Sequence, residues 1–488
     1  MIQYYMVMTM KMKKFAQAIL TLLILLASTT PTYAIPPNLT AEELVSRMYA
    51  GWNLGNTFDA WDGPGRRLTG DIYMIETLWL GGQGQRTTQT LIQAIRRAGF
   101  DTLRIPVTWS KVADPENDWQ LREDWLARVQ QVVDWALYED MFVILNTHHE
   151  NTALNLGEPN ANNPEHSGYH FLTSIWYQIA THFRDYDERL IFASMNEPRH
   201  EGGENEWWGA TGTVRDNVNY LNQAFVDVVR ATGGNNLYRI LQIPTVAAGA
   251  TPNGMRDFIV PQDPHNTVNK LVWSIHTYSP FNWAHDGFGT YDDPTQILND
   301  LENVFNNAQR LGLPVILGEW GSIRVSRGEN ADQDLRNYQR PIHAEDYTRI
   351  ALERGMPAVI WDNGGFTGID HTFGIIPRMY PHAMSRYHQE LINGIMRGAG
   401  RYQYVVLVEI PPEPEEEPEP DPTPEPEPEY IPTGEPELTP EEERLAEVMA
   451  LLEAAEDGHN WAGRITIAVI SGAILLFFIL KMMENKVR

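Results

Sequence analysis

The chain has 488 residues, 43% of them apolar and 10% aromatic, enough for several average domains or one large barrel with appendages. It has no cysteine, which excludes disulfide-stapled scaffolds and thiol chemistry, and a formal net charge of −27 excludes the basic surface that nucleic acid needs. The charge is uneven, because residues 409–447 hold sixteen acids against one base, Arg444.

Residues 1–34 read as a secretory signal peptide. Lys11, Lys13 and Lys14 form a basic start, Phe15 to Ala27 an apolar stretch, and Thr32-Tyr33-Ala34 a small-residue cleavage site. From residue 36 to 405 short apolar runs alternate with longer amphipathic ones. Ala50–Leu54, Asp101–Ile105, Met141–Thr147, Leu190–Ser194, Arg239–Ile243, Leu271–His276, Pro314–Leu317 and Ala358–Trp361 read as strands. Thr87–Ala98, Asp124–Tyr138, Gly168–Phe183, Val214–Ala231, Asp293–Leu311 and Ile342–Arg354 read as helices. In the first of these, Leu91, Ile92, Ile95 and Ala98 share one helical face. Eight strands, most followed by a helix, predict an α/β fold, a parallel (β/α)8 TIM barrel rather than an open sheet.

Residues 409–438 are a Pro/Glu-rich run with too few apolar residues for a core. They read as a disordered, acidic, extended linker reaching about 90 Å at ~3.1 Å per residue. Thr439-Pro440-Glu441-Glu442 then has the N-cap, first-turn proline and acids that open a short amphipathic helix over 439–456. Residues 461–481 read as a single C-terminal transmembrane helix. The apolar run Ile465 to Leu480 rises ~24 Å, and snorkelling by Arg464 and Lys481 makes up the rest of a ~30 Å hydrocarbon core. Lys481, Lys486 and Arg488 make 482–488 a cytoplasmic tail, which puts the barrel on the extracellular face of the cell membrane. Ile431-Pro432-Thr433-Gly434 only loosely matches a sortase signal and lies far from the apolar run. The C-terminal region has no duplicated calcium loops of the kind a dockerin needs.

Barrel enzymes work at the C-terminal ends of their strands, so the polar residues there are the candidates. They are Asn53 and Asn56, Arg104, His148-His149-Glu150, Asn196-Glu197, His276 and Tyr278, Glu319, and Trp361. Asn196-Glu197-Pro198 ends an apolar run at a proline that cannot continue a central ladder, which leaves a carboxylate at a strand tip. Gly318-Glu319-Trp320 repeats the arrangement. Two strand-end carboxylates are the minimum for hydrolysing a glycosidic bond.

Together with Gly51-Trp52-Asn53-Leu54-Gly55-Asn56, Leu103-Arg104-Ile105-Pro106 and His276-Thr277-Tyr278, these motifs resemble glycoside hydrolase family 5 over roughly residues 40–400. Asn146-Thr147-His148-His149-Glu150 and Asn205-Glu206-Trp207-Trp208 are similar to its endoglucanase and xyloglucanase subgroup. The resemblance implies retaining hydrolysis of β-linked glucans, with Glu197 as acid/base and Glu319 as nucleophile. It implies that Arg104 and Tyr278 hold Glu319 ionised, that Asn196 binds the sugar 2-hydroxyl, and that His276 stands beside Glu197. His148 and Trp361 would contact the sugar, while His149 is open between sugar contact and support. The Glu319 charge is expected to raise the pKa of Glu197.

No H-E-x-x-H helix, nucleophile elbow or phosphate loop is present, and the chemistry needs no cofactor or metal. The expected partners are a β-glucan and, through the C-terminal helix, the membrane; the protein is expected to be a monomer. An endo-β-1,4-glucanase leads the readings, ahead of a xyloglucanase or mixed-linkage glucanase, then a mannanase or xylanase, and a barrel that binds glycans without cleaving them.

Overall fold

The computed structural model describes residues 34–401, apart from 64–66, 81–85, 159–166, 366–371, 377 and 379–385. The signal peptide (except Ala34), linker, short helix, membrane anchor and tail expected above lie outside the described residues. Among the described residues no helix is long and apolar enough to cross a membrane.

Eight parallel strands close into a barrel: β1 (Ala50–Asn53), β2 (Thr102–Ile105), β3 (Phe142–Asn146), β4 (Leu190–Ala193), β5 (Leu241–Pro244), β6 (Leu271–His276), β7 (Val315–Trp320) and β8 (Ala358–Ile360). Each pairs with its sequence neighbours, and β8 pairs with β1 to complete the ring. Long helices follow most strands: α1 (Gln89–Arg97), α2 (Glu123–Tyr138), α3 (Ser167–His182), α4 (Gly212–Ala231), α5 (Thr295–Leu311), α6 (Gln333–Glu353) and α7 (Arg386–Gly398). The β5–β6 connection carries no long helix, only the 3-10 turn Val246–Ala248 and the one-turn helix Pro252–Arg256.

Alternation along the strands divides the interior into two cores. Val143, Leu145, Leu190, Phe192, Val315 and Leu317 face outward and pack against the helices. Ile144, Ile191, Val272, Ile316 and Val359 face the barrel axis, where Leu44, Val45 and Met48 of the N-terminal segment join them. That segment is a single turn, Ala41–Val45, started by a capping box between Thr40 and Glu43. The inward positions nearer the strand C-termini are polar instead: Asn53, Arg104, Asn146, Gln242, His276 and Glu319, with Asn196 just beyond β4. Apolar packing thus fills one end of the barrel and leaves chemistry at the other.

β5, α6 and α7 differ from the sequence reading, which named no helix at α7. β5 starts two residues late, because the buried Arg239 side chain leaves the ladder and donates to the carbonyls of Leu190 at 2.7 Å and Tyr186 at 2.8 Å. α6 starts at Gln333 rather than Ile342, with Pro341 inside it. A proline reads in sequence as a break, and here the helix tolerates the lost donor. α7 lies against α6 through Gly394 and Gly398, where an added Cβ would fall 2.3 Å from the Pro341 carbonyl oxygen and 2.4 Å from that of Glu345.

Candidate active site

Glu319 reaches the barrel mouth through a bulge. Between β6 and β7 the register runs from Ile275 opposite Leu317 to His276 opposite Glu319, so Gly318 is an extra residue. Simple alternation would turn Glu319 outward, and the bulge turns it in. Its carboxylate is buried, and both oxygens are held. Arg104 Nη1 donates to Oε1 at 2.9 Å and Tyr278 Oη donates to Oε2 at 3.1 Å. Burial, and then the charges of Glu319 and Glu197, push the Tyr278 phenol well above its ordinary range, so it remains a donor. Arg104 also donates to Asn53 Oδ1 at 2.9 Å and, through Nη2, to Asn196 Oδ1 at 2.7 Å. Because the guanidinium only donates, Asn196 is fixed with its oxygen toward Arg104, which leaves its amide hydrogens for a ligand.

Glu197 follows β4, and its Oε1 lies 2.8 Å from His276 Nδ1. His276 Nε2 is buried with no hydrogen-bond partner, against Gly318, where an added Cβ would sit 2.8 Å away. A proton on Nε2 would find no acceptor, so the ring carries its proton on Nδ1 and donates it to Glu197 Oε1. The other oxygen, Oε2, is then the one that carries a transferable proton. It lies 3.9 Å from Arg199 Nη1. Arg199 is itself fixed by Glu206 at 2.8 Å and by the Trp207 ring, 3.9 Å below its guanidinium. Burial pushes the Glu197 carboxyl up, but the hydrogen bond from His276 and the positive charges of Arg199 and Arg104 outweigh it and leave it lowered. This corrects the expectation of a raised acid. The Glu319 charge is already answered by Arg104, and the sequence reading had overlooked Arg199.

Carboxylate oxygens of Glu197 and Glu319 and a ring nitrogen of His276 all lie within 4.8 Å of one another. Inverting glycosidases hold their carboxyl groups about 6.5–9.5 Å apart to admit a water, whereas retaining ones hold them at about 5–5.5 Å. The nearest oxygens of the two carboxylates thus stand closer than the inverting range.

A second group lies at the ends of β1, β3 and β8. The His148 ring is parallel to Trp361, with centroids 5.7 Å apart, and Nε2 atoms of His148 and His149 are each 3.8 Å from Asp59 Oδ2. His149 continues into an aromatic wall with Trp79 and Trp61, at centroid distances of 5.6 Å and 6.4 Å. Burial holds the His148 imidazole well below its ordinary range and His149 down at about 4, so both are neutral at neutral pH. Glu150 stands apart from this group. Its buried carboxylate accepts from the Trp109 and Ser110 backbone amides, and burial pushes it up to about 7.

The nine side chains to which the resemblance gives a role therefore lie at strand ends around one mouth; hydrogen bonds join Arg104 to Asn196 and Glu319 and Tyr278 to Glu319, while Glu197 and His276 form a second hydrogen-bonded pair whose His276 Nδ1 stands 3.7 Å from Glu319 Oε1. Sequence reasoning missed Arg199, whose only signal was its place directly after Asn-Glu-Pro. It also missed Asp362 and Arg378. Asp362 accepts from Trp52 Nε1 at 3.0 Å and from the backbone amides of Ile375 and Ile376 at 2.9 Å, and Arg378 donates to Thr57 at 2.6 Å. These two hold the Trp361 loop, and no local pattern announces them.

The model of the cellulase family, glycosyl hydrolase family 5, matches residues 62–367. A cellulase/esterase, CelE, from Acetivibrio thermocellus is 36% identical over 370 residues, covering 74% of this chain; the chain spans 41% of that relative's length. A GH5-4 broad specificity endoglucanase from Ruminococcus champanellensis, solved with bound cellotriose, is 36% identical at a TM-score of 0.65, covering 74% of this chain and 99% of that structure. A GH5 lichenase from Caldicellulosiruptor sp. F32, solved with cellotetraose, is 33% identical at a TM-score of 0.64, covering 75% and 96%. The chain belongs to glycosyl hydrolase family 5.

Proposed function

We propose that this chain is an endo-β-1,4-glucanase that cleaves β-glucans with retention of configuration, and that the spacing of Glu197 and Glu319 carries this reading. Glu319 attacks the anomeric carbon as Glu197 Oε2 protonates the departing glycosidic oxygen. This breaks the C–O bond and forms a glycosyl ester. Glu197, now ionised, takes a proton from water as the water oxygen attacks the same carbon, which releases Glu319 and restores the acid. Asn196 donates to the sugar 2-hydroxyl, where hydrogen bonds strengthen in the oxocarbenium-like transition state. Trp361, Trp61 and Trp79 offer apolar faces for sugar rings.

The test is proton NMR of cellotetraose hydrolysis at early times. The new reducing end should form first as the β-anomer and then mutarotate, and first formation of the α-anomer would contradict retention. Mixed-linkage β-glucan is the second substrate reading, supported by the likeness to a lichenase. Reducing-sugar release from carboxymethyl-cellulose, barley β-glucan and xyloglucan ranks the substrates.

We also propose that the barrel is displayed outside the cell, with the signal peptide removed and residues 461–481 anchoring it through the 409–438 linker. Composition supports this: an acidic Pro/Glu run followed by a 16-residue apolar stretch with basic flanks. The full chain should sediment with membranes, and deletion of 461–488 should release it. A truncated chain that stays in the membrane fraction after signal-peptide cleavage would contradict the anchor.

A further inference from the structure

We propose that Asn146 is a positioning residue that fixes the tautomer of His148, so that the His148 ring presents an Nε2–H donor to the substrate. The argument rests on the glucan-binding reading above for the identity of the ligand, but not for the tautomer.

Asn146 is the last residue of β3 and is fully buried, facing the barrel axis. Its Oδ1 accepts from the Val107 backbone N–H at 3.1 Å, and its Nδ2 lies 3.1 Å from His148 Nδ1. A backbone N–H can only donate, so the amide has one allowed orientation. The flipped amide would set two donors against each other at Val107, which is itself buried, and leave that N–H without an acceptor. Nδ2 is therefore a donor to His148 Nδ1, which must carry a bare lone pair, and the proton of the neutral ring lies on Nε2. The rest of the local frame is equally fixed. The His148 backbone amide donates to the Val107 carbonyl at 2.8 Å, and the Trp109 indole donates to the Asn146 carbonyl at 2.8 Å.

The consequence reaches Asp59. Its Oδ2 is 3.8 Å from His148 Nε2, too far for a direct hydrogen bond. Asp59 instead accepts from the backbone amides of Asn56 at 3.0 Å and Thr57 at 2.7 Å. The same assignment decides against a cation held by Asp59, His148 and His149, whose ligand atoms lie within 4.8 Å of one another. A protonated Nε2 has no lone pair to give a metal.

The experiment uses the full chain labelled with 15N-histidine. In long-range proton–nitrogen correlation spectra at neutral pH, the His148 Nδ1 should have the shift of a bare nitrogen and Nε2 that of a protonated one. A protonated Nδ1 overturns the proposal. Asn146→Asp places a carboxylate acceptor at the same point, which should draw a proton to Nδ1 and lower kcat/KM on cellotetraose by about tenfold to a hundredfold. An Asn146→Asp protein with Nδ1 protonated and wild-type kcat/KM also overturns it. If that variant does not fold, the wild-type spectrum alone decides. A wild type that releases no sugar from any β-glucan would instead defeat the function reading, and the spectrum would still report on the tautomer.

Discussion

Glu319→Gln is expected to reduce turnover of every β-glucan by about four orders of magnitude or more, and to do so equally on aryl cellobiosides with good leaving groups. The amide cannot form the glycosyl ester, and no other described carboxylate except Glu197 stands at the barrel axis beside it. The substitution is close to isosteric, and the frame predicts how it is received. The amide oxygen can accept from Arg104 as Glu319 Oε1 does now at 2.9 Å, and the amide nitrogen can donate to the Tyr278 hydroxyl oxygen. The protein should therefore fold and bind cello-oligosaccharides, with loss confined to kcat and seen as a near-zero rate under saturating substrate. Retention of more than about one per cent of wild-type kcat would rule out Glu319 as nucleophile.

Glu197→Gln should behave differently, and the difference identifies its role. On polysaccharide the loss should be about 10²–10⁴-fold, the range that general acid–base catalysis supplies. On dinitrophenyl cellobioside the leaving group needs no proton, so one equivalent of phenol should appear in a burst. Turnover then stalls because water is no longer deprotonated. Azide, which attacks without losing a proton, should restore turnover and yield the β-glycosyl azide. A uniform loss on both substrates with no azide effect would refute the assignment.

The pH profile follows from the same residue. The wild-type acid must be protonated, and a lowered carboxyl loses its proton at lower pH. On polysaccharide the alkaline limb of kcat/KM should accordingly lie toward the acid side, and on the aryl substrate, whose leaving group needs no proton, it should be absent for wild type and Glu197→Gln alike.

How much of this was legible in the sequence depends on the range over which each feature is encoded. Strands such as Leu190–Ala193 announce themselves as short apolar runs closed off by a breaker, and all eight were readable. Glu197 and Glu319 were readable as side chains at such breaks. Arg199 was not, because its effect on Glu197 depends on a stack with Trp207 and an ion pair with Glu206 that only the folded loop assembles. The direction of the Glu197 shift was misread for the same reason. A pair of carboxylates in sequence says that they repel, and only the fold says how much positive charge surrounds each. The start of α6 was hidden by Pro341, since a proline's local meaning is a stop and its tolerance here is a property of the surrounding helices.

Gly318 couples Glu197 and Glu319 in a way that bears on how this barrel could change. The extra residue that turns Glu319 inward is also the surface against which His276 packs, and His276 holds Glu197. A side chain at 318 would displace the histidine and reshape the bulge together, so Glu197 and Glu319 cannot be retuned separately from within β7. Variation in what the enzyme cleaves has to enter instead through the outer loops, such as that bearing Trp207 and Trp208. New substrates can be fitted by exchanging the rim, while the reacting pair tolerates change only as a unit.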